Sequence, residues 1–179
     1  AGTPQRIEML DADFERGRVR FALFDFDGTL SLIREGWQGV MIAFMVEELS
    51  RTPLAEDRAA IREIVRRFVT DLTGKQTIYQ MIRLAEEISA RGGRPLTALE
   101  YKREYHARLW SRIGKRVEDL RRGVAAPDEL MVLGSRAMLE AMRERGIRCL
   151  LASGTDEEYV LEEARLLGIS EYFEAMYGA

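Results

Sequence analysis

The strongest constraint in this chain is one short run, Val19-Arg20-Phe21-Ala22-Leu23-Phe24, that stops at Asp25-Phe26-Asp27-Gly28. A nearly unbroken apolar and aromatic stretch of this length is too short for an ordinary helix. It suits a strand covered on both faces, as in a parallel sheet. The carboxyl end of such a strand is where open α/β sheets collect their ligands, and here it carries two carboxylates. Gly28 permits the sharp exit that brings the backbone close to whatever binds there. An Asp-Gly pair alone is a common turn and implies no more than that. Here Asp25, Asp27, Gly28, Thr29 and Leu30 all follow a buried strand. At about one in twenty each, a chance match somewhere in the chain is rarer than roughly one in a thousand.

Two carboxylates converging on one pocket repel each other unless a proton or a cation lies between them. The segment offers no nearby lysine or histidine, so a hard, oxygen-seeking Mg²⁺ held by Asp25 and Asp27 is the expected resident. Composition argues against zinc and disulfides, because Cys149 is the one cysteine and His106 the one histidine. With Lys+Arg 27 against Asp+Glu 30, the net charge of -3 lacks the basic excess that a nucleic-acid partner requires. The 179 residues, 46% hydrophobic and 32% charged, suit one globular unit or a core with an inserted subdomain. The longest apolar candidate, Gly39 to Val46, falls far short of the roughly 18 residues of a membrane-spanning helix. No basic-then-apolar signal sequence opens the chain, so the expectation is a cytoplasmic protein without a membrane partner.

Residues 1–17 are mixed in polarity and form an N-terminal segment without a readable pattern. Between 35 and 123 the spacing becomes helical. Val40, Ile42, Ala43, Phe44 and Val46 form one apolar segment. Ile61, Ile64, Val65, Phe68, Val69 and Leu72 form a stripe, as do Ile78, Met81, Ile82, Ala85 and Ile88. Breaks at Thr52-Pro53, Thr73-Gly74 and Gly92-Gly93-Arg94-Pro95 separate these helices, and a fourth is expected from about Ala98 to Arg112. After Pro127 a helix from about Ser135 to Arg145 closes at Gly146, and Ile147 to Ala152 reads as a second buried strand. Thr155 and Glu158 have the spacing of a capping box that starts a helix ending at Leu167, and Tyr172 to Tyr177 offers a third strand. The pattern predicts an α/β fold: a Rossmann-like parallel-sheet core from 18–34 and 124–179, interrupted by an all-helical insertion at 35–123.

The run Phe24-Asp25-Phe26-Asp27-Gly28-Thr29-Leu30 resembles the first motif of the haloacid dehalogenase superfamily, most of whose members are Mg²⁺-dependent phosphatases and phosphotransferases. Leu150-Leu151-Ala152-Ser153-Gly154-Thr155 resembles its second motif, and the helical block matches the position of the helical cap in the phosphoglycolate phosphatase and β-phosphoglucomutase branch. The resemblance implies that Asp25 attacks phosphorus and that Asp27 shuttles a proton to the leaving alkoxide and from water. It also implies that Mg²⁺ is held by the Asp25 side chain and the Asp27 carbonyl. Gly28, Thr29, Ser153 and Gly154, with the Thr155 amide, would bind the phosphoryl group. An acid at position 27 favours phosphoryl transfer over dehalogenation, because a halide leaves without a proton. Read alone, Ser-Gly-Thr is more often just a helix start.

The family pattern continues with a phosphate-binding basic residue and then a strand ending in acids, and neither appears in this chain. The three lysines, Lys75, Lys102 and Lys115, all precede the second motif. The family sheet places the first strand centrally, so a chain stopping at Ala179 leaves Phe21 to Phe24 on an uncovered apolar edge. Three accounts are open: a longer natural chain, another chain covering the edge, or a remnant with impaired catalysis. Within the helical block, Thr73-Gly74-Lys75-Gln76-Thr77 places a cation and an amide at a helix start, so Lys75 and Gln76 are candidate substrate contacts. A plain Gly stop followed by a Thr cap explains the same residues. Arg34, Glu35 and Trp37 could line the cap entrance, or serve as a hinge and a buried Trp. His106 reads as packing or surface, the run from Arg103 to Arg122 as a solvated face, and Cys149 as a small core residue. The leading expectation is a phosphatase for a small phosphorylated metabolite, a sugar phosphate or a short phospho-acid. A phosphomutase and a non-catalytic phosphate-binding domain are the alternatives.

Overall fold

The computed structural model describes residue 13 and residues 17–179. The rest of the N-terminal segment lies outside the described residues. Strand β1 (Phe21–Phe24) is followed by four helices, α1 (Trp37–Leu49), α2 (Arg58–Asp71), α3 (Thr77–Ala90) and α4 (Ala98–Arg121). After them come α5 (Ser135–Glu144), β2 (Arg148–Ala152), α6 (Glu157–Leu166) and β3 (Phe173–Tyr177). The strands form one parallel sheet in the order β1-β2-β3, with Phe21 opposite Arg148 and Phe24 opposite Leu151. The predicted α/β architecture with a helical insertion between the first two strands is therefore what the chain adopts.

The helices form where the sequence supplies both stripe and cap. Asp57 accepts hydrogen bonds from the amides of Ala59 and Ala60 at the start of α2, and Thr97 with Glu100 closes a capping box on α4. Ile61, Val65, Met81, Leu84 and Ile113 meet in one enclosed core with Phe44 and Leu49 of α1. Fully burying such a side chain contributes about 1.5–3 kcal/mol. Ile82, read as part of the α3 stripe, faces outward, and Gln80 takes an inward position beside Met81. Helix α4 runs to Arg121 rather than Arg112, because Ile113, Val117 and Leu120 extend its apolar stripe past the point where arginines dominate the text. That basic run is not simply a solvated face. Arg116 donates to the carbonyls of Ile33 and Glu35 at 2.9 and 3.1 Å, and Arg121 pairs with Glu162 at 2.6 Å.

The two chain crossings between sheet and helical unit lie side by side. Leu32 donates its amide to Leu130 at 2.8 Å, and Val132 donates to Leu30 at 3.0 Å. Among the described residues β1 lies at the edge of the sheet and one of its faces is uncovered, so the expected burial on both faces does not hold. Phe21 is 51% and Leu23 70% exposed, while Phe24 turns inward and packs edge-on against Phe173. Cys149 is buried in β2 as expected. Among the described residues no helix is long and apolar enough to cross a membrane.

Candidate active site

Parallel pairing of β1 with β2 brings the residues just past their carboxyl ends, Asp25 and Ser153, to the same rim of the sheet. Asp25 is exposed there, and the Thr29 hydroxyl donates to its Oδ2 at 3.3 Å. The chain then turns back sharply. Gly28 adopts φ 78°, a left-handed conformation that costs other residues strain, and its amide donates to the Ser31 carbonyl at 2.9 Å. Gly28 and Thr29 thus shape the turn that presents the acids, and the Gly28 amide is already engaged.

Asp27 lies deeper. Its Oδ2 accepts the Thr155 hydroxyl at 2.8 Å, while Oδ1 is enclosed without a hydrogen-bond partner. Burial pushes its carboxyl above the usual carboxylate range, against the opposing pull of the Arg34 charge and the Thr155 hydrogen bond. Thr155 is therefore not the cap of α6. The helix begins at Glu157 with Asp156 as its N-cap residue, and the hydroxyl that the capping-box spacing assigned to the helix is spent on Asp27 instead. The Thr155 amide donates to the Ser153 hydroxyl at 3.1 Å, and the Ser153 amide to Tyr177 at 2.9 Å.

The helical unit closes the other side. Asp25, Asp27, Lys75, Ser153 and Gly154 share a cavity of about 80 Å³. Lys75 is in its wall. Gln76 is not: it precedes the first turn of α3, and Gln80, one turn further on, lines the cavity in its place. The Thr77 amide reaches the Gly154 carbonyl at 3.4 Å, so the loop carrying Lys75 lies directly on the second motif. Trp37, half-buried, and Arg34 also line the cavity.

Arg34 is the largest departure from the sequence reading. It is buried, and donates from Nε and Nη2 to Glu163 Oε1 at 3.0 and 2.7 Å. Its guanidinium lies 5.2 Å from the Tyr159 ring centre. Burial pushes the Glu163 carboxyl up and the Arg34 charge pulls it down. The forked geometry is that of an ion pair. Tyr105 and His106 of α4 complete the wall. Burial raises the Tyr105 phenol well above its usual range. His106 packs edge-on against Tyr159, and its Nδ1 is 3.7 Å from Asp156 Oδ2. Burial holds the imidazole below its usual pKa despite Asp156. The packing role read for His106 is met, but on the cavity wall. A signal for Glu163 was present in the text: it stands on the stripe Val160, Glu163, Ala164, Leu167, a carboxylate on an otherwise apolar face.

Whether these residues suit Mg²⁺ can be asked of the donors themselves. Among the described residues no group of three or more His, Cys, Asp or Glu side chains is placed to hold a metal. Mg²⁺ keeps several waters and needs only one or two carboxylates beside its substrate's phosphate oxygens. An exposed Asp25 next to an enclosed, unpartnered Asp27 oxygen is compatible with that demand.

The fold and the pocket together define an α/β protein whose site opens at the carboxyl ends of parallel strands. Residues 19–179 match the family model described as haloacid dehalogenase-like hydrolase, and the chain belongs to that family. A search of curated proteins gave no match. Among solved structures, a predicted phosphoglycolate phosphatase from Haemophilus somnus 129pt is similar at 16% identity with a TM-score of 0.53, over 89% of this chain and 62% of that one. CbbY from Rhodobacter sphaeroides, solved with xylulose-(1,5)bisphosphate, is similar at 20% identity and TM-score 0.50, over 89% and 64%. A Bacillus subtilis protein assigned as a HAD-hydrolase, YfnB, solved with magnesium, is similar at 12% identity and TM-score 0.50, over 90% and 65%. The chain thus spans less than two thirds of the length of these structures. At these identities the likeness speaks for the fold.

Proposed function

We propose that this chain is a phosphomonoester hydrolase acting on a small phosphorylated metabolite, a sugar phosphate or short phospho-acid, through an aspartyl-phosphate at Asp25. The observation that carries this reading is the pairing at the strand ends: an exposed Asp25 beside an Asp27 whose Oδ2 is held by Thr155 at 2.8 Å. Asp25 attacks phosphorus in line, converting a resistant ester into a readily hydrolysed acyl phosphate. Asp27, favoured in its protonated form by burial, gives its proton to the leaving oxygen and then takes one from the attacking water. Thr29 orients Asp25. Ser153 and the Gly154 amide meet the phosphoryl oxygens, and Lys75 reaches the substrate from the helical unit, which acts as a cap. Asp25 and the Asp27 carbonyl would hold Mg²⁺, which when bound offsets the negative charge of the phosphoryl group.

The test is phosphate release from an aryl phosphate in magnesium buffer, with Asp25→Asn alongside. The variant is expected to lose about a thousandfold or more in kcat, since the nucleophile is gone. Unchanged turnover in the variant would remove Asp25 from its role. Turnover that requires a sugar bisphosphate would mark a mutase, and phosphate binding without turnover a binding domain.

A further inference from the structure

We propose that Arg34 grips an oxyanion of the substrate through its free Nη1 edge, with Glu163 as the positioning residue that aims it. The proposal rests on the phosphoester reading above and adds a residue to it.

Arg34 leaves the loop between β1 and α1 and is only 6% exposed. Glu163 occupies Nε and Nη2, and the Tyr159 ring flanks the guanidinium. Nη1 bonds to none of the described residues. It is also not one of the enclosed, unpartnered side-chain atoms, which are Asp27 Oδ1 and Ser170 Oγ. Arg34 walls the cavity that holds Asp25, Asp27 and Lys75, and Nη1 is the edge that Glu163 leaves unengaged. Stability alone does not call for this arrangement, because an apolar pair of similar volume serves a buried site equally well. A guanidinium already held on one edge is pre-organised. It presents the other edge to a carboxylate or phosphate with little further ordering.

The cavities that Arg34 walls limit what that oxyanion can belong to. One is the cavity of about 80 Å³ that holds Asp25, Asp27 and Ser153. Arg34, His106 and Leu109 also line an adjoining cavity of about 240 Å³ with Trp110 and Ile113. The oxyanion facing Nη1 thus belongs either to the phosphoryl group or to a substituent on the leaving group.

The decisive variant is Arg34→Met with Glu163→Leu, which removes both charges and leaves neither buried alone. Two readouts are taken in magnesium buffer: calorimetric affinity for inorganic phosphate, and kcat/KM for a matched ester pair, 2-phosphoglycolate and ethyl phosphate. A loss of about tenfold or more in phosphate affinity assigns Nη1 to the phosphoryl group. Unchanged phosphate affinity with about a tenfold loss of preference for the carboxylated ester assigns it to the leaving group. A folded double variant with wild-type values in both readouts overturns the proposal. Should the double variant not fold, Arg34→Lys keeps the charge without the fork. It is expected to weaken one readout several-fold with an unaltered circular dichroism spectrum, and wild-type values there overturn the proposal equally. If the unaltered chain neither binds phosphate nor turns over either ester, the phosphoester reading itself fails, a result distinct from failure of Arg34 alone.

Discussion

In the four-helix unit Phe44, Leu49, Ile61, Leu84 and Ile113 are all enclosed, whereas in the sheet Phe21 and Leu23 stand half or more exposed on β1. Each helix buries its apolar side chains against other helices of the unit. A strand of a parallel sheet needs a neighbour on each edge and cover on each face, and among the described residues β1 pairs only with β2. The proposed chemistry sits beside that exposed strand: Asp25, Asp27, Ser153 and Thr155 all follow strand ends. The helical half contributes Lys75, Tyr105 and His106. The proposed reactive groups thus lie on the sheet side of the cavity.

The sharpest way to break this contrast is a pair of leucine truncations. Leu84→Ala, at 0% exposure, is expected to cost about 2–5 kcal/mol in urea unfolding, while Leu23→Ala, at 70% exposure, stays within about 0.5 kcal/mol. Equal costs would mean that both halves depend on packing alike. A smaller effect tests the division between recognition and chemistry. Lys75→Ala should raise KM for a phosphoester about tenfold, near 1.4 kcal/mol, with kcat little changed. A fall confined to kcat would move Lys75 to the chemical side.

The smallest effect concerns pH. Burial lowers the His106 pKa, with Arg34 and Lys102 acting in the same direction, Asp156 opposing, and the Tyr105 and Tyr159 rings flanking it. For a base whose pKa is depressed by folding, the stabilisation is fully present above the unfolded value near 6.5 and is lost as pH falls through the folded value. Thermal unfolding of the native chain should therefore drop more steeply on acidification than that of His106→Gln. Parallel curves would show that folding does not lower the imidazole's pKa.

Much of this architecture is legible in the text because its determinants are local. The strand before Asp25, the helix breaks at Thr52-Pro53 and Gly92-Gly93, and the stripes through Ile61 and Met81 each depend on residues within a few turns. What escaped depends on partners far along the chain. Thr155 has the spacing of a helix cap, yet Asp27, distant in sequence, claims its hydroxyl. Arg34 follows Leu32 and Ile33 without revealing that Glu163 is to be its counter-ion. Ile82 keeps helical spacing, yet the side of α3 it occupies is settled by where α1 and α4 lie. Gln76 and Gln80 differ by one turn of α3, and only the docking of that helix decides which of them reaches the cavity.

Gly154 has no side chain where one would collide: a Cβ there would lie 2.5 Å from the Lys75 carbonyl. Main chain meets main chain at that seam, so its width is gauged by a hydrogen atom. Even a methyl group would act as a wedge, lifting the Lys75 loop off the strand end like a shim under a door. The fit between the two walls is thus a matter of clearance as much as of attraction.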